Sequence, residues 1–297
     1  MNGGPAVHDN MLDEAILFVG LGRMGGPIAL RLAQAGFDVH IHDVDQTVVG
    51  QLAARGLTEA PAARLERLQY RRTLLCLPDP GVVAGFLEGR SLDSDAGYPR
   101  AIADFTTVAP SFAGNMQRQL ADLGIDYLDV PLSGGEAGAA SGKLVVMASG
   151  AAAGFAQIEP VLHTVGSIVH YLGDIGAASR MKAINQFVYL AYNACFAAGL
   201  SMAKTAGLSE MVTLDVLRNG APRHPLIEDR LGKVLASGGK EGFAIWRCLK
   251  DLNCLEDIHP AGLPGSLLDA IKLALEEAKA NGLGSHDILA IGALPDV

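Results

Sequence analysis

The sequence predicts an α/β domain with a mostly parallel sheet, followed by an all-α domain that begins with a long interdomain helix. Short β-prone apolar runs alternate with helical stretches as far as Leu172, which is typical of parallel βαβ units. Beyond Leu172 the alternation stops, and helical stretches follow that Gly and Pro separate. The chain has 297 residues, which at roughly 150 residues per domain favours about two domains.

The strands of the first domain are predicted from these β-prone runs, with two later runs extending the same sheet. The five main runs are 16–19, 39–42, 73–77, 101–104 and 127–130, and the two extending runs are 144–148 and 168–172. Between the first two runs, residues 27–35 repeat apolar side chains at helical spacing, and Gly36 fits the end of that helix. The chain thus begins with a strand, a turn, a helix and a strand.

The domain division follows from the same pattern. Residues 1–14 read as a flexible tail without the features of a secretory signal, residues 15–173 as the α/β domain and residues 174–297 as the helical domain. The first helix of the second domain is predicted at Ala177–Thr205 and is apolar nearly all round. Its uncharged stretch 183–203 approaches the length of a membrane span, but its amide and tyrosine side chains favour a buried helix of a soluble protein.

Composition excludes several function classes. Hydrophobic residues make up 49% and charged residues 19% of the chain, which is ordinary for a folded globular protein, and the net charge of -9 argues against nucleic acid as the main partner. The four cysteines form no C-x-x-C pair and no zinc-ligand spacing, so we expect a reducing, cytoplasmic setting.

A glycine-rich turn directly follows the first strand and directly precedes the first helix. Its sequence is Gly20-Leu21-Gly22-Arg23-Met24-Gly25, a G-x-G-x-x-G pattern. The first glycine permits the tight turn, the second lets the backbone approach a pyrophosphate, and the third allows close packing of helix on strand. The context predicts a Rossmann-type dinucleotide-binding domain.

The acidic residue at the end of the second strand bears on the choice of dinucleotide. Asp43 lies 18 residues after Gly25, where a carboxylate accepts hydrogen bonds from an adenosine ribose diol and repels a 2'-phosphate. The residues that follow, Val44 to Thr47, include no basic side chain. NAD is therefore favoured over NADP, and Arg23 is the residue that could reverse this preference.

Several short blocks of sequence lie in a fixed order along the chain. They are the glycine-rich turn, Leu77-Pro78, Asp104-Phe105-Thr106-Thr107, Asp129-Val130-Pro131-Leu132-Ser133-Gly134-Gly135, Lys182-Ala183-Ile184-Asn185-Gln186 and Lys250-Asp251-Leu252. Taken together, from about Ile16 to Leu289, they resemble the β-hydroxyacid dehydrogenase family, which includes 3-hydroxyisobutyrate dehydrogenases and tartronate semialdehyde reductases.

The Ser-Gly-Gly turn is a candidate anion site. By itself, a strand end followed by proline, Ser133, Gly134 and Gly135 exposes a hydroxyl and backbone N–H groups at the edge of a sheet, as a plain surface turn also would. The family resemblance implies that these three residues hold the carboxylate of the substrate.

Three polar side chains share one face at the start of the long helix. Asn185 and Gln186 follow Lys182 at i+3 and i+4. A desolvated lysine can exchange a proton near neutral pH, although spacing alone equally fits a solvated lysine at a helix start. The resemblance assigns Lys182 the role of general acid or base and Asn185 the positioning of substrate, while Gln186 stands where many relatives have a second Asn.

Other positions owe their assignment mainly to the resemblance. The resemblance places Lys250 and Asp251 near the nicotinamide of the cofactor. It also places Thr106 and Thr107, which end one strand, near the nicotinamide, and Leu77 and Pro78, which end another strand, near a ribose. Unaided, these four strand-end residues are ordinary, and Lys250 is more typical of a solvated lysine at the end of an apolar stripe with Phe243 and Trp246. Trp246 and Arg247 match no fixed family pattern, and both are candidates for substrate selection only.

Metal and hydrolytic chemistry are disfavoured. His40 and His42 alternate on one strand face, where packing and ribose-edge contacts are preferred to metal binding. No G-x-S-x-G elbow is present, and Cys76 lies in an apolar strand without an adjacent base.

Together these patterns predict an NAD(P)-dependent oxidoreductase that interconverts a short 3-hydroxy carboxylic acid and its semialdehyde. Its partners are expected to be a small carboxylate-bearing substrate and further copies of the chain in a homodimer or homotetramer, with no nucleic acid and no membrane. Two alternatives remain on the same fold: an imine reductase-like enzyme, which usually lacks the lysine, and a non-catalytic dinucleotide-sensing protein.

Overall fold

The computed structural model describes residues 14–92, 100–240, 242–258 and 261–293. The chain forms two compact units, the first ending at Lys182 and the second beginning at Ala183. The tail predicted at residues 1–14 lies outside the described residues except for Glu14, whose carboxylate pairs with Arg72 at 2.8 Å.

The first unit is built on a six-stranded parallel sheet with strand order β3-β2-β1-β4-β5-β6. This confirms the predicted α/β class. In sheets of this order, ligands bind beyond the carboxyl ends of the strands, where the strand order reverses between β1 and β4. The strands of the chain are β1 (Ile16–Val19), β2 (Val39–His42), β3 (Thr58–Glu59), β4 (Arg72–Leu75), β5 (Arg100–Asp104), β6 (Ile125–Asp129), β7 (Leu132–Ser133), β8 (Leu144–Ala148) and β9 (Gly166–Tyr171).

Helices cover the sheet and exclude water from it. All four residues of β1 are buried, as expected for a central strand packed on both faces. The first helix buries Ile28, Ala29 and Leu32 and is followed by Gly36 at φ +94°, a left-handed conformation that glycine tolerates. The helices of this unit are α1 (Gly25–Gln34), α2 (Gln46–Ala53), α3 (Ala62–Glu66), α4 (Pro80–Glu88), α5 (Pro110–Ala121), α6 (Gly135–Ser141) and α7 (Ala152–Val165).

The prediction that runs 144–148 and 168–172 extend the main sheet was wrong. These runs form β8 and β9, which pair with β7 in a separate three-stranded sheet. The physical reason is that the chain turns back after Pro131, so that β7 pairs antiparallel with β8 through Leu132 and Val146. The only bridge recorded between the two sheets in the described residues joins Asp129 to Ser149.

The second unit is helical, as predicted. The long helix α8 (Ala177–Thr205) has the predicted bounds and crosses from the first unit into the second. It is followed by α9 (Glu210–Asn219), α10 (Pro225–Ala236), α11 (Ile245–Asn253), α12 (Leu263–Ala278) and α13 (Ala290–Ala293). Buried apolar side chains form a core within this unit: Phe196, Leu200, Leu231, Val234 and Leu289. Within the described residues, no helix combines the length and apolar character needed to cross a bilayer.

Candidate active site

The glycine-rich turn connects β1 to α1, and two of its glycines are fixed by steric contact. A Cβ atom on Gly20 would lie 2.3 Å from the carbonyl oxygen of Cys76, and one on Gly25 would lie 1.9 Å from the carbonyl oxygen of Gly20. A Cβ on Gly22 would meet no atom within 4 Å. The space beside Gly22 is therefore open to a ligand that needs close approach to the backbone.

Asp43 lies at the end of the neighbouring strand β2 and fastens the glycine-rich turn. Its Oδ2 accepts a hydrogen bond from Leu21 N at 2.6 Å, and its Oδ1 accepts one from Asp45 N at 2.9 Å. Val44, next in the chain, is 93% exposed. The open space at Gly22 and a carboxylate held beside the turn fit the pyrophosphate and ribose of an adenine dinucleotide.

Arg23 of the same turn pairs with Glu136, which lies in the first turn of α6. Both side chains are about half exposed. The ion pair links the glycine-rich turn to the segment that follows Ser133, a contact between distant parts of the sequence that no local pattern indicated. Met24 closes the turn as the residue before α1.

Two of the predicted strand-end positions are directly bonded. Leu77 N donates to Thr106 Oγ1 at 3.0 Å, and Thr106 N donates to Asp104 Oδ1 at 2.9 Å. These bonds bring the residues that follow β4 and β5 together at the carboxyl edge of the sheet, with Pro78 and Thr107 next in each segment. Cys76 is close by, and burial raises the pKa of its thiol to about 12, so that it stays protonated and unreactive.

The Ser-Gly-Gly turn leaves β7 and opens α6. Gly134 has φ +131° and Gly135 has φ +64°, conformations that residues with a Cβ rarely adopt. A Cβ on Gly134 would also lie 3.0 Å from Leu144 Cδ2. The glycines are therefore needed for the path of this turn past β8.

Lys182 reaches the same segment from α8. Its Nζ donates to the carbonyl oxygen of Leu132 at 2.8 Å, and the residue is only 7% exposed. Leu132 immediately precedes Ser133. The structure therefore brings two of the sequence-predicted site elements, the lysine and the Ser-Gly-Gly turn, together within the first unit.

Asp129 was missed as a site residue by sequence analysis, where it counted only as part of a motif block. It is completely buried at the end of β6, and its Oδ2 accepts hydrogen bonds from both the backbone N–H and the hydroxyl of Ser179 at 2.7 Å. Burial raises its pKa to about 7, although the bonds from Ser179 oppose that rise. An aspartate at a strand end beside Pro131 was the available signal, but Ser179 is 50 residues away.

In the second unit, the amide of Gln186 is engaged by a buried carboxylate. Gln186 Nε2 donates to Asp251 Oδ2 at 2.6 Å, and Lys250 Nζ lies 3.3 Å from Asp251 Oδ1. Asp251 thus connects α8 to the helix that carries Lys250. Trp246 lies on the same helix α11 and is 39% exposed. The guanidinium carbon of Arg247 lies over the Trp246 ring, 5.1 Å from the ring centroid.

A second polar cluster of this unit was also missed. Arg230 on α10 pairs with the buried Asp287, with Nε and Oδ2 3.2 Å apart. Its other nitrogens donate to the hydroxyl of Tyr189 and the side-chain oxygen of Asn193, both on α8. Two guanidinium nitrogens are hydrogen-bonded to α8 and the third lies beside the Asp287 carboxylate, so this cluster ties α10 to α8.

The two histidines of β2 pack against aromatic rings, as preferred from the sequence. His40 Nδ1 is hydrogen-bonded to the Tyr70 hydroxyl at 3.0 Å, and burial lowers the pKa of His40. The His42 ring lies 6.1 Å from that of Phe86. Among the described residues, no group of three or more His, Cys, Asp and Glu side chains could hold a metal ion.

The sheet order, the glycine-rich turn and Asp43 define a dinucleotide-binding protein of the Rossmann class. A family model described as the NAD binding domain of 6-phosphogluconate dehydrogenase matches residues 15–173. A second, described as NAD-binding of NADP-dependent 3-hydroxyisobutyrate dehydrogenase, matches residues 176–294.

Similar proteins support the same class along nearly the whole chain. The chain is 31% identical to L-threonate dehydrogenase of Cupriavidus necator, covering 92% of this chain and 93% of that one. It is 29% identical to 2-(hydroxymethyl)glutarate dehydrogenase of Eubacterium barkeri, covering 92% of each. The crystal structure of a 3-hydroxyisobutyrate dehydrogenase from Salmonella typhimurium superposes with a TM-score of 0.83 at 28% identity, covering 94% of this chain and 99% of that one. The chain belongs to the β-hydroxyacid dehydrogenase family and is an NAD(P)-dependent oxidoreductase acting on CH–OH donors.

Proposed function

We propose that this enzyme interconverts a short 3-hydroxy carboxylic acid and its semialdehyde, with NAD as the preferred dinucleotide and Lys182 as the general acid or base. The observation that carries the proposal is the hydrogen bond from Lys182 Nζ to Leu132 O at 2.8 Å. It sets the ammonium group one residue from the turn proposed to hold the carboxylate of the substrate.

Ser133, Gly134 and Gly135 bind that carboxylate. The Ser133 hydroxyl and the backbone N–H groups of the turn are donors of the kind that hold small anions. Both glycines have positive φ, so a side chain at either position would strain the turn and weaken binding. Anchoring the carboxylate fixes the distance from it to the hydroxyl carbon, which favours 3-hydroxy acids of short chain.

Lys182 moves the proton at Nζ. When alcohol is oxidised, the neutral amine takes the hydroxyl proton, and in the reverse direction the ammonium returns it to the aldehyde oxygen. A bound nicotinamide would accept or supply the hydride. Lys182 is only 7% exposed, so the protein shields its Nζ from bulk water.

Residues further along α8 and α11 complete the substrate and cofactor contacts. Asn185 orients the substrate, since it follows Lys182 at i+3 on one helix. Gln186 and Trp246 shape the substrate pocket, and the exposed part of Trp246 supports a role in selection. Lys250 approaches the nicotinamide end of the cofactor, as do Thr106 and Thr107.

The preference for NAD over NADP rests on Asp43 and its surroundings. A 2'-phosphate would meet the Asp43 carboxylate and the apolar, exposed Val44 rather than a cation. Arg23, the nearby cation that could accept a phosphate, is paired with Glu136. Gly20, Leu21, Gly22, Met24 and Gly25 hold the pyrophosphate, with Leu77 and Pro78 beside a ribose.

The relatives support the substrate class. One is named for 2-(hydroxymethyl)glutarate and another for L-threonate, which are both carboxylates that carry hydroxyl groups. We extend this chemistry, and not either particular substrate, to the present chain.

The enzyme is further proposed to be a cytoplasmic homodimer or homotetramer. Helix α9 buries none of its residues, and it exposes large apolar side chains to solvent: Met211 is 77% and Val216 is 60% exposed. Apolar side chains of this size on one helix are typical of a subunit interface. All four cysteines are free, which suits a reducing compartment.

The test is a nicotinamide absorbance assay with NAD and NADP against 3-hydroxyisobutyrate, 3-hydroxypropionate, glycerate, threonate and 2-(hydroxymethyl)glutarate. Lys182→Ala is expected to lower kcat by roughly 10²–10⁴-fold, as is typical for loss of a general acid or base. Lys233→Ala, which removes an exposed lysine of α10, serves as the matched control. Turnover of Lys182→Ala at the rate of the control would refute the role of Lys182, and silence of the wild type on every acid would refute the substrate class.

A further inference from the structure

The start of α8 is held by side chains from two other segments of the first unit. Ala178 N donates to Ser149 Oγ at 3.0 Å, and Ser179 N donates to Asp129 Oδ2 at 2.7 Å. These are amides of the first helical turn, which lack partners within the helix. Asp129 and Ser149 thus cap α8 from the ends of β6 and β8.

The two capping residues, Asp129 and Ser149, are also bonded to each other where the two sheets meet. Asp129 and Ser149 exchange two backbone hydrogen bonds, Asp129 N to Ser149 O at 3.0 Å and Ser149 N to Asp129 O at 2.9 Å. Ser149 Oγ also donates to Asp129 Oδ2 at 3.3 Å. Both residues are completely buried, so no water competes for these bonds and the helix start has one fixed position.

Lys182 lies one helical turn beyond Ser179, and its Nζ is held by Leu132, three residues beyond Asp129. The segment from Asp129 to Leu132 therefore contacts α8 at two points, the first through the carboxylate and the second through the carbonyl oxygen that receives Lys182. Two contacts between one short segment and one helix turn fix the lysine both along and around the helix axis.

We propose that Asp129 is a positioning residue that sets Lys182 beside the Ser-Gly-Gly turn by anchoring Ser179 at the start of α8. This inference rests on the proposed function for its catalytic consequence. Asp129 is completely buried and its carboxylate bonds to Ser149 and Ser179, so the proposal gives it no contact with the substrate.

One oxygen of Asp129 accepts all of the side-chain and cap bonds, whereas Oδ1 has no hydrogen-bond partner. The anchoring role consequently needs one acceptor and not the negative charge. Asn at position 129 can keep that acceptor, and Ala cannot. The pair Asp129→Asn and Asp129→Ala therefore separates anchoring from charge.

The experiment measures kcat and KM for the best substrate, together with the rate at which N-hydroxysuccinimide acetate acetylates Lys182, followed by peptide mass spectrometry. Asp129→Ala is expected to lower kcat by about 10–100-fold, the range typical of a misplaced reacting group, with KM changed far less. Acetylation of Lys182 should rise by about fivefold or more as the helix start opens. Exposed Lys233 is the internal reference, and its rate should stay constant.

Four further variants separate the loss of the anchor from a general loss of folding. Ser179→Ala removes one donor and should lower kcat less than Asp129→Ala does. Ser179→Thr keeps the hydroxyl and should therefore have a kcat near that of the wild type. Asp129→Asn should stay within about fivefold of wild type, since its oxygen still accepts from Ser179. Leu65→Ala, at a buried core position on α3, should lower the unfolding midpoint without changing kcat or the Lys182 acetylation rate.

Unchanged acetylation of Lys182 in Asp129→Ala and Ser179→Ala would overturn the proposal, whether or not a substrate has been found. Faster acetylation with unchanged kcat would overturn the catalytic consequence while leaving the proposed function intact. Failure of the proposed function would appear separately, as wild-type turnover that Lys182→Ala does not affect.

Discussion

Gln186 Nε2 lies 2.6 Å from Asp251 Oδ2, and both residues are buried. The amide that follows the proposed substrate-orienting Asn185 therefore already has a partner within the second unit. Gln186 thereby links α8 to α11, the helix that carries Trp246 and Lys250. Its side chain is one methylene longer than that of Asn, which gives it the reach to Asp251.

Shortening this side chain is expected to be costly. Gln186→Asn should withdraw the amide from Asp251 and leave a buried carboxylate short of one donor, destabilising the protein by about 1–3 kcal/mol. KM for the substrate should rise more than kcat falls. Urea unfolding and steady-state kinetics on Gln186→Asn, Asp251→Asn and the double variant form a cycle. If the two single effects simply add, Gln186 and Asp251 do not act as a pair.

Removal of the carboxylate at position 43 should change dinucleotide binding. Asp43→Asn is expected to weaken NAD binding by about tenfold and to affect NADP much less, because the ribose diol loses a charged acceptor while a 2'-phosphate loses a repelling group. Fluorescence titration of both dinucleotides measures this directly. Asp79→Asn, at the cap of α4, is a control for loss of a capping carboxylate. An equal loss of affinity for both dinucleotides would contradict the assignment of Asp43 to cofactor choice.

Stability should depend on pH through Asp129. Burial raises the pKa of Asp129 in the folded chain to about 7, whereas in the unfolded chain it titrates near its ordinary value of 3.8. Between these values the folded state binds one extra proton, so the free energy of unfolding falls as pH rises, by up to about 1.4 kcal/mol per pH unit. Above pH 7 this contribution is constant.

The measurement is a series of urea unfolding curves from pH 4.5 to pH 8 for the wild type and Asp129→Asn. As pH rises towards 7, the free energy of unfolding of the wild type should fall relative to that of Asp129→Asn. Above pH 7 the difference between the two should stay constant. A difference that is independent of pH would show that Asp129 has an ordinary pKa.

The exposed face of α9 provides a test of assembly. Replacing Met211 and Val216 by lysine should convert the oligomer into monomers, because charged groups would have to be buried at the interface. Light scattering coupled to size-exclusion chromatography reports the mass. Lysine at Leu263, which is 80% exposed on another helix, is the matched control. A wild-type mass equal to that of one chain would exclude the proposed homo-oligomer.

The sequence predicted those parts of the fold that local periodicity specifies. The alternating runs predicted the parallel sheet, and the long helical stretch after Gly176 predicted α8 with the bounds that it has. The pattern did not show which sheet β8 and β9 join, because an apolar strand has the same periodicity in either sheet. That choice depends on the turn after Pro131 and on the bridge from Asp129 to Ser149.

The candidate site divides in the same way. The glycine-rich turn and Lys182 were predictable because their residue types and spacing are local properties of the sequence. The partners of Asp129, Gln186 and Arg23 lie 50, 65 and 113 positions away along the chain. Only tertiary packing brings such residues together, and no window of sequence contains both members.

Asp43 holds the glycine-rich turn in place in addition to its proposed contact with the ribose, and this restricts how the proposed coenzyme preference could be changed by evolution or design. Its two oxygens already receive the backbone N–H groups of Leu21 and Asp45. Replacing Asp43 by a cationic residue that could bind the 2'-phosphate would also remove the acceptor for the Leu21 backbone N–H. A successful switch to the phosphorylated coenzyme therefore requires at least two coordinated changes, one that supplies the cation and one that supplies a new acceptor for the Leu21 amide.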